Sequence, residues 1–309
     1  ALETILEVDD RNVQAADRLV PIYRELGRWA ELVNAQDLLL REKGDFLDSE
    51  RLELLLNKAQ VHEERLRQVD EAFFTYVEAY ELDWQRSDIG SELERLAAES
   101  GNWNAYISVL DTTLEKIDDE AARVPYLIRI GEIWNEHIGD FENAMSYFSR
   151  VLKLDKTNLK TMSALESLYR NHEKWSELKE VLSKRLDVDH NPDERCRLLS
   201  ELGTVCRTQL GDSEGAVAAY RRLVEEYPQA AIGYDQLSDV LLQEERYEGL
   251  LSLLENRLET LQPEGRELAE LLTDIGMLSY GVEGDIEKTV DHYMRALEVD
   301  LDQARALSL

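Results

Sequence analysis

Gly131-Glu132-Ile133-Trp134, then Gly139-Asp140-Phe141-Glu142-Asn143-Ala144-Met145-Ser146-Tyr147-Phe148, then Val151-Leu152-Lys153-Leu154-Asp155 mark one stretch that recurs three more times. Gly203, Gly211-Asp212, Ala216, Tyr220 and Leu223 lead to Tyr227-Pro228. Gly276, Gly284-Asp285, Tyr293 and Ala296-Leu297 lead to Asp300. Ala59, Ala72, Tyr76 and Ala79 lead to Asp83. The closing positions 83, 155, 228 and 300 are 72, 73 and 72 residues apart. A second landmark lies between them: Gly27-Arg28-Trp29, Gly101-Asn102-Trp103, Lys174-Trp175 and Arg246-Tyr247, at steps of 74, 72 and 72. Repetition on this scale decides the architecture, because each unit buries its apolar face only against its neighbours.

Each period holds two short motifs of roughly 36 residues. A small residue is followed three positions on by an aromatic. A Gly-polar-aromatic turn, a small or apolar residue, a second aromatic and a closing Asp or Pro come next. This pattern resembles the tetratricopeptide-repeat family, most closely at Gly131, Trp134, Gly139, Phe141, Ala144, Phe148 and Val151. It departs from the family in two respects. The first helix of every even-numbered motif carries one extra residue, since Gly131 to Gly139, Gly203 to Gly211 and Gly276 to Gly284 are each 8 apart. The odd-numbered motifs replace the small residue after the turn with Leu32, Tyr106, Leu178 or Leu250.

The resemblance implies an all-α, right-handed α-solenoid of about eight helical hairpins in four double-motif modules of 72–74 residues. The modules fall at about 10–83, 84–155, 156–228 and 229–300 of a single 1–309 solenoid, with partial units at 1–9 and 301–309. The half-units suggest a piece of a longer array. Ile5, Leu6 and Val8, with Ala304, Ala306 and Leu307, are then apolar groups without neighbours, and end-to-end self-association is expected. Within the hairpins, Trp103 and Trp175 are expected to be largely buried. Pro21 is expected to kink its helix or loosen one turn.

Composition agrees with a helical array: 5 Pro and 15 Gly in 309 residues leave little room for long loops. A net charge of −30 speaks against gripping nucleic acid or an anionic membrane. No apolar run approaches the roughly 18 residues that a membrane span needs. Cys196 and Cys206, ten residues apart on one helix, are too far apart to bridge, and a reduced, cytoplasmic setting follows. His62, His137, His172, His190 and His292 show no metal-binding spacing and read as surface or turn residues. No catalytic set, metal site or cofactor is expected.

What remains is surface. In the family this chain resembles, first helices line a groove that takes a peptide or partner helix. Carried onto this sequence, the groove positions are Glu92, Arg95, Arg129, Glu132, Asn135, Lys160, Ser163, Ser167, Arg170, Arg197, Glu201, Thr204, Asp235 and Asp239. The expected role is a non-catalytic protein–protein interaction scaffold. The alternative is the helical regulatory or targeting region of a larger enzyme. If Arg129, Lys160, Arg170 and Arg197 face one another, they would clamp an acidic segment. The competing expectation is a basic partner steered by Asp88, Glu92, Asp235, Asp239 and Asp274; a third is that Glu92, Glu132 and Glu201 neutralise the basic groups in intramolecular pairs.

Overall fold

The structure, a computed structural model, describes residues 2–44 and 46–300. Among the described residues it is all-α, with seventeen α-helices, three π-helical turns and no strand. The chain divides into two compact units, Ala1–Asp155 and Lys156–Leu309. The first holds α1 (Leu2–Val8), α2 (Val13–Glu25), α3 (Trp29–Glu42), α4 (Asp48–Gln60), α5 (Val69–Leu82), α6 (Ser87–Ser100), α7 (Trp103–Lys116), α8 (Glu120–Ile133) and α9 (Phe141–Leu154). The second holds α10 (Leu159–Asn171), α11 (Trp175–Val188), α12 (Pro192–Thr208), α13 (Ser213–Glu226), α14 (Ala231–Gln243), α15 (Tyr247–Leu261), α16 (Gly265–Leu278) and α17 (Ile286–Val299). Within each unit every helix packs on the next, so the fold is a helical solenoid of hairpins stacked in chain order. Hairpins 1 to 4 pair α2 with α3 through α8 with α9. Hairpins 5 to 8 pair α10 with α11 through α16 with α17.

The extra residue of the even motifs has a physical form. In hairpins 1, 5 and 7 the first helix closes in the Schellman manner, with Arg28 N–H returning to Tyr23 C=O at 2.9 Å, Lys174 to Tyr169 at 2.8 Å and Arg246 to Leu241 at 2.8 Å. In hairpins 2, 4 and 6 the return reaches one residue farther: Gln68 to His62 at 2.9 Å, Asp140 to Trp134 at 2.9 Å and Asp212 to Cys206 at 2.8 Å. The surplus residue is absorbed as a wide turn, which takes the form of π-helix at Val61–Leu66 in hairpin 2, Trp134–Ile138 in hairpin 4 and Ser279–Glu283 in hairpin 8. Gly139 then takes the left-handed conformation at φ 79°. Its neighbour Asp140 starts α9 by accepting the Asn143 amide at 3.0 Å. Asp212 and Asp285 cap α13 and α17 in the same way. The Gly-Asp pair thus ends one helix and begins the next.

Packing explains the small residue of the motif. A Cβ on Gly131 would lie 2.7 Å from the Phe148 ring, one on Gly203 2.2 Å from Tyr220 and one on Gly276 2.7 Å from Tyr293. The paired helices approach until the aromatic face rests on bare backbone. Phe73, Phe148, Tyr220 and Tyr234 are accordingly among the largest fully buried side chains.

Trp103 and Trp175 are largely covered without being fully buried, as are Trp29, Trp84 and Trp134. The cause is position: Trp29, Trp103 and Trp175 open their second helices at the hairpin's edge, where neighbours cover only part of the indole. His137 stacks on Trp103 at 3.9 Å between ring centroids. His62 and His292 are buried rather than superficial. His62 Nδ1 meets Gln68 Oε1 at 2.8 Å, and burial lowers the His292 pKa. Helix α2 continues through Pro21, as α8 does through Pro125. Both cysteines are free thiols, and Cys206 is buried. Of the apolar groups expected without neighbours, Ile5 and Val8 are exposed, at 43% and 87%. Leu6 packs partly buried on the core, and Ala304, Ala306 and Leu307 lie outside the described residues.

One core position breaks the pattern. Gln36 occupies the place held by Leu110, Leu182 and Leu254 in hairpins 3, 5 and 7, and it is fully buried. Neither its amide nitrogen nor its amide oxygen has a hydrogen-bond partner. A buried polar group without partners costs about 1–3 kcal/mol. Gln36→Leu should therefore raise stability by that order, read as a higher urea midpoint at unchanged slope. A lower midpoint would show that the amide is bonded after all.

Candidate interaction surface

The first helices carry most of the charged side chains expected to form a groove, and the structure shows what those charges do. In unit one, Arg95 on α6 is held at 2.7 Å by Glu63 from the preceding hairpin and at 2.7 Å by Glu92, with Glu99 at 3.3 Å. Arg129 on α8 meets Glu94 of α6 at 2.8 Å and Glu132 at 3.3 Å. Each guanidinium therefore links two neighbouring hairpins. Asn135 is exposed on the π turn that follows α8.

Unit two gathers a denser network across three helices. Glu166 of α10 is buried, as is Arg185 of α11, and the two meet at 2.7 Å. Arg185 also reaches Glu194 of α12 at 2.6 Å and faces Asp189 at 3.6 Å. Arg170 bonds to Glu166 at 2.8 Å and closely to Glu201. Arg197 contacts Glu166 at 3.1 Å, Glu194 at 2.8 Å and Glu201 at 2.6 Å. The electrostatics follow the geometry. The hydrogen bond from Arg197 holds the Glu194 carboxyl below its ordinary range. The bond to Glu194 and the charges of Glu166 and Glu201 raise the Arg197 guanidinium, against the effect of burial. Three guanidiniums share four carboxylates, so the network retains one negative charge, and the buried Arg185 Nε, 3.6 Å from Asp189, is left without a hydrogen bond.

Other groove positions are scattered. Lys160 and Ser167 are exposed on α10, and Ser163 is half-buried. The Thr204 hydroxyl turns inward, donating to Ser200 C=O at 2.9 Å and sharing a bond with the Tyr220 hydroxyl at 3.1 Å. Asp235 pairs with Arg257 at 2.6 Å, and Asp239 faces Arg207 at 3.5 Å. The arginines expected to clamp a carboxylate are thus engaged by the chain's own acids. Arg170 and Arg197 converge, but on Glu166 and Glu201. Arg129 belongs to unit one and is taken up there by Glu94 and Glu132.

Glu63, Glu94, Glu166, Arg185 and Glu194 were not among the groove positions, although two left a trace in sequence. Arg185 falls on the apolar stripe Leu178, Val181, Leu182 and Leu186 of α11. Glu166 falls on the stripe Met162, Leu165 and Tyr169 of α10. Opposite charges at core positions of both helices of one hairpin point to a buried pair, since a lone charge there would be prohibitive.

Among the described residues no group of histidine, cysteine and carboxylate side chains could hold a metal ion. No helix among them is long and apolar enough to cross a membrane.

Residues 125–158, covering hairpin 4, match one tetratricopeptide-repeat family model, and residues 202–230, in hairpin 6, match another. No curated protein matches the chain. Among solved structures it is similar to the C-terminal part of a tetratricopeptide-repeat protein from Cytophaga hutchinsonii, with 16% identity over 96% of this chain and 98% of that one and a TM-score of 0.36. It is similar to YrrB, described as a tetratricopeptide-repeat protein with an unusual peptide-binding site, with 20% identity over 64% and 96% of the two chains and a TM-score of 0.35. It is also similar to the TPR2AB domain of yeast Sti1, solved as a complex with pHSP90, with 18% identity over 84% and 95% and a TM-score of 0.35. Hairpins 4 and 6 thus match tetratricopeptide-repeat models, and the same landmark residues stand at equivalent places in the other hairpins.

Proposed function

We propose that the chain is a non-catalytic protein–protein interaction scaffold and that a partner peptide or protein lies along its first helices. The observation that carries this reading is the distribution of polar side chains. Successive first helices of one unit present Glu63, Glu92, Arg95, Glu94 and Arg129 in contact across hairpins. In the other unit Arg170, Arg197 and Glu201 do the same. Such a face is fixed in place by its own ion pairs before any partner arrives, which lowers the ordering cost of binding. The modules at 10–83, 84–155, 156–228 and 229–300 are proposed as its repeating units.

Site-specific photo-crosslinking tests the reading with a partner recovered together with the chain. Crosslinkers at Ser91 and Ser167, on first helices, should capture that partner. Crosslinkers at Glu142 and Glu180, exposed on second helices, should not. Capture confined to the second helices would move the binding face and sink the proposal.

A further inference from the structure

Unit one contains a cleft of about 770 Å³ between the end of α4 with its π turn and the first half of α6. Leu56, Tyr76 and Ile89 supply its apolar surface, and Glu63, Glu64, Asp88 and Glu92 surround it. Two cations are also present. Arg95 bonds to Glu63 and Glu92, and Arg86 bonds to Asp88. Four carboxylates against two guanidiniums leave the cleft two charges negative, and Glu64 has no ion-pair partner among the described residues.

Acidic side chains alone would say little in a chain of this charge. Tyr76 adds an independent observation. It is 6% exposed, lines the cleft, and its hydroxyl has no hydrogen-bond partner among the described residues. The equivalent ring in hairpin 6, Tyr220, shares a hydrogen bond with Thr204 at 3.1 Å. In hairpin 4 the ring is Phe148 and has no hydroxyl to satisfy. In hairpin 2 Gln60 stands where Thr204 stands in hairpin 6, and it is exposed on the cleft instead of bonding to Tyr76. The Tyr76 residue is thus largely buried at the cleft, and its hydroxyl has no partner among the described residues to match the bond that Tyr220 makes. Burial, then the charges of Glu92 and Glu63, push its pKa up to about 12, so it stays a neutral hydroxyl at physiological pH.

We propose that this cleft seats an arginine or lysine side chain of an extended partner segment. The aliphatic stem lies on Leu56 and Ile89, and the cationic head donates to the Tyr76 hydroxyl and to the carboxylates of Glu64 and Glu92. Long basic side chains suit such a place because their stems bury well while their heads keep polar partners. The proposal rests on the first-helix reading above and names the chemistry of one of its contacts. It also opposes the acidic-segment expectation, since both arginines that line the cleft are held by acids of the chain itself, Arg86 by Asp88 and Arg95 by Glu63, Glu92 and Glu99.

The test uses the whole chain with isotope-labelled isoleucine and leucine methyls and three small probes: acetyl-arginine methylamide, its citrulline counterpart and its glutamate counterpart. The arginine probe should shift the Ile89 and Leu56 methyl signals saturably, while the neutral citrulline and anionic glutamate probes should not. Glu64→Gln should weaken the arginine probe about tenfold, as loss of a charge-assisted bond does, and Tyr76→Phe about threefold, as loss of a neutral one does. Glu115→Gln, on the exposed face of α7, should leave it unchanged. Equal shifts with citrulline, saturable shifts with glutamate, or no shift with any probe would each overturn the proposal. So would arginine shifts spread without saturation over the acidic surface, which would show counterion association only. Failure here leaves the crosslinking test on first helices untouched, because that test does not depend on which side chain enters this cleft.

Discussion

Arg185→Leu should destabilise unit two by about 3–5 kcal/mol, the range found when one member of a buried ion pair is removed. The cost does not come from losing attraction alone. Glu166 is 5% exposed and would keep its charge in a place with little water, while Glu194 would lose a partner at 2.6 Å. Arg170 and Arg197 would still reach Glu166, so the damage should fall short of a fully isolated buried charge. The control is the double change Arg185→Leu with Glu166→Leu. It removes both charges from the core of hairpin 5, leaves Arg170 on Glu201 and leaves Arg197 on Glu194 and Glu201. Stability should return most of the way, because apolar replacement of a whole buried pair is often neutral or better. Urea unfolding gives the four corners of the cycle, and hydrogen exchange locates the loss, expected in α10, α11 and α12. A double variant no more stable than the single one would mean that these charges do not act as a pair.

Gly203→Ala should be the most damaging single-methyl addition in the chain, at roughly 3 kcal/mol, the upper part of the usual overpacking range. The new carbon would sit 2.2–2.6 Å from three atoms of the Tyr220 ring, and that ring is fully buried. Relief requires the two helices of hairpin 6 to separate, which would also break the bond between Thr204 and Tyr220. Gly131→Ala faces a nearest ring atom at 2.7 Å and should cost less. Thermal unfolding of the two variants side by side checks the order. Reversal of that order would show that the ring yields more readily than the backbone.

Much of this architecture was legible in sequence because the repeat makes each residue a comparison with three others. Eight hairpins, the Gly-Asp turns and the extra residue of the even motifs all follow from spacing. Spacing says that one residue is inserted between Gly131 and Gly139; it does not say that the backbone absorbs it as a π turn instead of bulging in the loop. The landmark tryptophans are largely covered as their regularity implies, but spacing does not say that they stop short of full burial, because the first residue of a helix lies at the edge of the stack. The interaction surface was harder. Projecting groove positions finds which side chains sit on first helices, but an arginine's partners come from residues about 30 positions away, as with Arg95 and Glu63 or Arg129 and Glu94. Whether a guanidinium is available to a ligand depends on such pairs, and one-dimensional spacing does not reveal them.

The alternation between the two helix endings limits how this chain can change its length. Hairpins 1, 5 and 7 end their first helix with the shorter return, and hairpins 2, 4 and 6 with the longer one. Adding or losing a single hairpin would bring two endings of one kind together and offer each helix a neighbour cut for the other. Adding or losing a pair restores the order at the seam. Gene duplication, or an engineer splicing this scaffold, therefore has the pair as its smallest neutral step, and a chimera joined out of phase should fold less stably than one joined in phase from the same hairpins.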